Sequence, residues 1–214
     1  MKAAKHKNGS VDSNGVGTRI SCASYRSCDE FIDVQRLRSL DGYLARRIER
    51  YVNTKVDDPR LNSACEISLT KTSIHPERAH WQWTEEALEF TMLMEFIETL
   101  PYKSTGRVVI TYYDHSCLSP LQTDPQQVGD FIWFQTNLRK RFYLKSEQTG
   151  KKVYIDSYSA LFDTANQQLG ADVSDSLAFS IRVEGQFTDK FRREIAVPRT
   201  DLARKPALLE ESCR

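Results

Sequence analysis

Arg139, Lys140, Arg141, Phe142 and Tyr143 stand consecutively, with Lys145, Lys151 and Lys152 close behind, so clustered positive charge lies beside aromatic rings. That combination suits single-stranded nucleic acid, because Lys and Arg neutralise phosphates while bases stack on rings. A solvated hairpin carrying ordinary surface cations is the alternative reading of the same residues. The charge is unevenly spread along the chain. Six cations stand against three acids in residues 129–160, seven against four in 182–205, and two against seven in 65–100.

Patterns for other chemistry are sparse. The chain has no G-x-x-x-x-G-K-[ST], no G-x-G-x-x-G, no H-E-x-x-H and no G-x-S-x-G. Asp114 and His115, with Cys117 two residues on, follow a strand-like run, where catalytic side chains often sit; a loop thiol is the competing reading. His75 and His80 are five apart, which places them on neither one helix face nor one strand face, so they read as surface or loop residues. Cys22, Cys28, Cys65, Cys117 and Cys213 are an odd set without C-x-x-C or zinc-ligand spacing, and are expected to be free thiols. No cofactor, metal or catalytic set is implied.

Composition narrows the class. The 214 residues are 40% hydrophobic and 28% charged, too apolar for a disordered chain, and the net charge of +1 is not that of a polycation. No window approaches the ~18 uninterrupted apolar residues of a membrane span. The first residues lack the apolar core of a signal peptide, so a reducing cytosol is the expected compartment and the Asn8-Gly9-Ser10 triplet is expected to stay unglycosylated.

The elements follow from periodicity. Residues 1–26 are rich in Gly, Ser, Asn and Lys, and read as a mildly basic mobile arm. Phe31, Val34, Leu37, Leu40, Leu44, Ile48 and Tyr51 recur at helical spacing, with Gly42 a point where the run can divide. Alternation then predicts strands around Cys65, Ile67 and Leu69, at 81–83, and over 107–113, 131–134, 142–144 and 153–155. Residues 85–100 fit either a helix or, by the alternation of Leu88, Phe90, Met92, Met94 and Phe96, a long strand, which is preferred. Residues 101–106 read as a turn and 160–170 as a short helix. Leu177, Phe179, Ile181 and Val183 alternate with Ala178, Ser180, Arg182 and Glu184, as in a strand with one buried and one solvated face. The expected fold is mainly β: a jelly-roll-like β-sandwich with an N-terminal helical segment and flexible termini. Its expected divisions are a basic arm at 1–28, a single domain at 29–200 and a polar tail at 201–214.

Four stretches carry a resemblance: residues 29–33 (DEFID), 106–114 (GRVVITYYD), 139–145 (RKRFYLK), and 177–187 (LAFSIRVEGQF) with 192–195 after it. Their order resembles the 30K superfamily of plant-virus movement proteins, most closely the tobamovirus type. The resemblance implies non-sequence-specific binding of single-stranded viral RNA and its transport through plasmodesmata from the host cytoplasm. Self-association, plasmodesmal or wall-associated host partners and no enzymatic activity come with it. Phosphates would then sit on Arg139, Lys140, Arg141, Lys145, Lys151 and Lys152, with stacking from Phe142 or Tyr143. Asp114 would be the family's structural aspartate, accepting backbone N–H bonds in the following loop. Tyr112-Tyr113-Asp114, Asp124-Pro125 and the basic arm are also similar to small plant-virus jelly-roll capsid proteins, which implies RNA packaging in a virion. A small cytosolic enzyme using the loop from Asp114 to Cys117 is a third reading.

Overall fold

The computed structural model describes residues 24–54, 66–72, 80–113, 130–172 and 177–196. The helical run becomes a 3-10 turn at Asp29–Phe31 followed by α1 (Val34–Ser39) and α2 (Asp41–Thr54). The division falls at Leu40, not at Gly42, which lies inside α2. Asp33 caps α1 by accepting from the Arg36 N–H at 2.9 Å, satisfying one of the helix's orphan donors. Leu37, Leu40, Leu44 and Ile48 are fully buried, as their spacing requires.

Eleven strands are described: β1 (Tyr25–Ser27), β2 (Glu66–Ser68), β3 (Thr70–Thr72), β4 (Trp81–Trp83), β5 (Tyr102–Tyr113), β6 (Asp130–Phe134), β7 (Arg141–Ser146), β8 (Lys152–Tyr154), β9 (Ser159–Phe162), β10 (Gln167–Asp172) and β11 (Ala178–Phe187). They form an antiparallel six-stranded sheet in the order β1-β9-β6-β11-β5-β2, a three-stranded sheet β10-β7-β8 and a two-stranded ribbon β3-β4. The longest strand pairing, between β5 and β11, is in register at Ile110 and Ile181. The mainly-β sandwich with an N-terminal helical segment is therefore the observed fold class. Among the described residues no helix is long and apolar enough to cross a membrane.

The six-stranded sheet is covered on both faces. One face (Val108, Ile110, Ile132, Phe134, Ile181 and Val183) packs against the helices, with Phe96 edge-on to Phe134 at 5.7 Å. The other face, from Tyr113, Phe131, Trp133 and Ala178, packs against Phe142, Leu144, Leu169 and Ala171 of the small sheet. At the turn between β7 and β8, Gly150 has φ +66°, the left-handed conformation that glycine adopts without a Cβ clash.

Four expectations are corrected. Residues 85–100 are helical: a 3-10 turn at Glu86–Phe90 leads into α3 (Thr91–Ile97). The buried residues there, Ala87, Phe90, Leu93 and Phe96, repeat every three positions, while Leu88 and Met92 of the alternating set are exposed. Alternation of residue type coincided with helical spacing, and the Glu, Ala, Leu and Met content decided for helix. The predicted turn at 101–106 belongs to β5, and the predicted helix at 160–170 is the β9 end, a turn and the start of β10. After β11 the chain forms α4 (Asp189–Ala196), whose last carbonyls, on Glu194 and Ile195, accept from the Arg26 guanidinium.

The fourth concerns the arm. Its expected boundary at residue 28 is too late: Tyr25–Ser27 pairs with β9, and Cys28 is fully buried. Burial pushes the Cys28 thiol up to about 12, which keeps it protonated and unreactive near neutral pH. Residues 1–23 and 201–214, and the other four cysteines, lie outside the described residues. Asp29 then fastens the segment, accepting from the Tyr158 N–H (3.0 Å), the Ser159 N–H (2.7 Å) and the Ser159 hydroxyl (2.7 Å). Replacing Asp29 with alanine strips all three donors of their acceptor. The expected loss is about 2 kcal/mol of unfolding free energy by urea titration, from charge-assisted bonds of roughly 1.5–3 kcal/mol each, partly replaced by water. A variant as stable as the parent would show that the clamp contributes nothing.

Candidate functional site

The basic stretch lies on the small sheet and the turns beside it. Arg139 and Lys140 sit in the turn before β7, Arg141 and Lys145 on β7, Lys151 before β8 and Lys152 on it. Phe142 faces inward, is fully buried, and packs edge-on to Tyr113 (5.4 Å) and Trp133 (5.2 Å). Tyr143 is on the outer side of β7, but only 4% of its surface is exposed. The Lys152 ammonium lies 3.8 Å from its ring centroid, and Arg141 lies 4.2 Å from that of Tyr154. The Tyr154 hydroxyl donates to Asp172 at 2.7 Å, and Lys152 stands 3.8 Å from the same carboxylate. Neither Phe142 nor Tyr143 has a free face for a base, so the expected stacking role of this pair is corrected. Tyr154, which the sequence did not single out, is the exposed ring of that face.

The other sequence candidates give little. Asp114, His115, Cys117, His75, Asp124 and Pro125 lie outside the described residues. His80 is exposed, with its Nε2 2.8 Å from the Gln82 amide nitrogen. Among the described residues no group of three His, Cys, Asp or Glu side chains is placed to hold a metal.

A different site lies between the sheets. The strand face read as solvated, with Ser180, Arg182 and Glu184 alternating along β11, is roofed by β10 and β7. There the two layers enclose a cavity of about 70 Å³. Tyr113, Trp133 and Phe162 supply its rings and Leu169 its aliphatic wall. Thr111, Ser180, Thr164 and Gln167 add neutral polar groups, and Glu66 and Arg182 the two charges.

The charges are held in pairs. Arg182 Nε lies 2.9 Å from Glu184 Oε1, and both side chains are more than four-fifths buried. Arg182 also lies 4.3 Å from the Phe131 ring centroid. Burial lowers the pKa of the guanidinium, and the Glu184 carboxylate opposes that shift; at any ordinary pH the group stays charged. Nearer solvent, Glu66 accepts from Arg107 at 2.8 Å. Trp133 is 1% exposed, and its indole N–H has no hydrogen-bond partner among the described residues. An unpaired buried donor costs roughly 1–3 kcal/mol, so a native fold retains one where something else receives it.

Sequence reasoning passed over this cavity because a polar alternate face on a strand ordinarily meets water. The signal that could have found it is an arginine and a serine on one strand, opposite a neighbour carrying Thr111 and Tyr113, with a further apolar sheet left to pack.

No family model matches the chain, and no curated protein matches it. Among solved structures, a prolyl-4-hydroxylase from Pseudomonas putida is similar at 9% identity and a TM-score of 0.41, over 76% of this chain and 91% of that one. An oxidoreductase of the 2OG-Fe(II) oxygenase family from Burkholderia pseudomallei gives 8% identity and 0.40 over 71% and 89%. The viral collagen prolyl hydroxylase of Paramecium Bursaria Chlorella virus-1 gives 7% and 0.34 over 75% and 93%. Likeness at this level transfers no activity and no ligand. No family model matches and none of these three structures is a movement or capsid protein, so the 30K membership, the capsid alternative and the non-enzyme expectation that came with the resemblance are corrected: nothing found supports them. In the fold the motif stretches fall on a 3-10 turn, on parts of β5, β7 and β11 and within α4, ordinary elements that an unrelated β-sandwich also contains.

Proposed function

We propose that this chain takes a small polar molecule into the cavity between its two sheets, as ligand or as substrate. The observation that carries the reading is the buried Trp133 N–H without an acceptor among the described residues, on a side chain that lines a cavity with Arg182. Buried donors of this kind are satisfied by an acceptor-bearing guest. The cavity is too small for a nucleobase and its sugar together. The neighbouring structures include a 2OG-Fe(II) oxygenase, but the described lining here offers one carboxylate and no imidazole. These residues do not make an iron site of the usual two-histidine, one-carboxylate kind, so no step through iron is derived.

The test is a thermal-shift titration of the full chain with small acids, amines, amides and alcohols. At least one class should raise the melting temperature progressively, as binding to the native state alone requires. Trp133→Phe should then weaken that solute by about fivefold to tenfold, the worth of one hydrogen bond at roughly 1 kcal/mol. A flat response to every class, or equal affinity in Trp133→Phe, would remove the cavity from consideration.

A further inference from the structure

Across α2 and the 3-10 turn leading into α3, exposed side chains sort by charge. The turn at Glu86–Phe90 has about three residues per repeat, so side chains three apart share a row. Ala87, Phe90 and Leu93 are the buried row. Glu86, Glu89 and Met92 form a second row, and Glu85 and Leu88 a third, all exposed. The second row is the one beside α2, where Arg47 donates to the Glu89 carboxylate and the Tyr43 hydroxyl donates to the Glu89 carbonyl at 2.9 Å. Each residue of α2 turns roughly 100° about the helix axis. Arg50 and Arg46 therefore follow Arg47 and Tyr43 round the helix, away from buried Leu44 and Ile48, while Glu49 falls on the edge remote from the 3-10 turn.

The result is a face with a positive side and a negative side, joined along the Arg47–Glu89 pair. Arg46 and Arg50 are exposed on one side, Glu85 and Glu86 on the other, and none of the four makes an ion pair among the described residues. Residues 84–101 contain no Lys or Arg that could match those acids locally. Leu88 precedes Glu89 and Met92 lies one turn beyond it, so two apolar side chains, 67% and 43% exposed, flank the junction. Such a face is complementary to itself. A half-turn about an axis through the junction lays each positive side on the negative side of another copy, as in a two-fold isologous contact. We propose that two copies of this chain associate through this face, Arg46 and Arg50 of each opposite Glu85 and Glu86 of the other, with Leu88 and Met92 between them. The charges set the orientation, and the apolar pair supplies the surface removed from water.

Analytical ultracentrifugation of the full chain over a range of concentrations tests this. The parent should form a dimer as concentration rises, and added salt should dissociate it, because exposed charges are screened. Replacing Leu88 and Met92 together with serine should abolish the dimer, and circular dichroism should show the fold unchanged, since both side chains are exposed. Glu85→Lys with Glu86→Lys makes both sides positive, and Arg46→Glu with Arg50→Glu makes both negative. Each charge variant alone should associate about tenfold more weakly or worse, because the two-fold axis doubles every like-charge contact. An equimolar mixture of the two should recover the dimer, since every contact between them is again of opposite sign. A parent that stays monomeric at every concentration, a dimer indifferent to the serine variant, or a mixture no more associated than its components would each overturn the proposal.

Discussion

Arg182→Gln is expected to lower the unfolding free energy by about 3 kcal/mol, the lower end of what removing one member of a buried ion pair costs. The mechanism is loss of compensation. Glu184, 14% exposed, would be left without the guanidinium at 2.9 Å, and Phe131 would lose the cation lying 4.3 Å from its ring centroid. The lower end applies because water still reaches 18% of the arginine side chain. Urea titration of four proteins measures it: parent, Arg182→Gln, Glu184→Gln and the double variant. The double variant should recover at least half of the loss, because two neutral amides need less solvation than one stranded carboxylate. Strictly additive single losses would show that the two groups do not act as a pair. An unchanged urea slope is part of the expectation, since the surface exposed on unfolding stays the same.

Gly185→Ala is expected to cost about 3 kcal/mol, at or beyond the upper range for overpacking. A Cβ at that position would stand 2.4 Å from the Ser104 carbonyl oxygen, 2.8 Å from Tyr102 Cδ1 and 3.1 Å from the Gly106 nitrogen. Two of these are backbone atoms of the neighbouring strand and cannot swing aside. The register between β5 and β11 shifts between Val183 and Gly185, so the two strands approach closely where a side chain would ordinarily separate them. The control is Gly42→Ala. There the new Cβ meets only Arg46 Nη1 at 3.7 Å, inside α2, and helix propensity favours alanine by roughly 0.5–1 kcal/mol. Thermal melts of the two variants should move in opposite directions. A Gly185→Ala protein as stable as the parent would mean that the bulge relaxes freely.

Both predictions concern β11, the strand that the sequence displayed most clearly and misrepresented most usefully. Its alternation named the inward set, Phe179, Ile181 and Val183, and all three are buried against the helices. The complementary set was read as facing water, yet Ser180 is 2% exposed and Arg182 lies in a cavity. Periodicity reports which residues share a face; it carries no information on what a distant segment lays over that face. The basic stretch failed for the same reason. Arg141, Phe142 and Tyr143 are adjacent in sequence, but strand geometry sends them to opposite sides, and Lys152 of the next strand engages the ring left outside.

By itself, the sequence determined the mainly-β class, the N-terminal helical face of Leu37, Leu40, Leu44 and Ile48, and most strand positions. Those follow from local alternation and the steric preferences of each residue. The helix at Thr91–Ile97, the roofing of β11 by the small sheet, and the meeting of Glu66, Trp133, Gln167 and Arg182 around one cavity were decided only by the tertiary structure. The physical reason is separation: those four residues come from four different strands spread over more than a hundred positions. Only the pairing order of the strands and the closing of one sheet over the other bring them together.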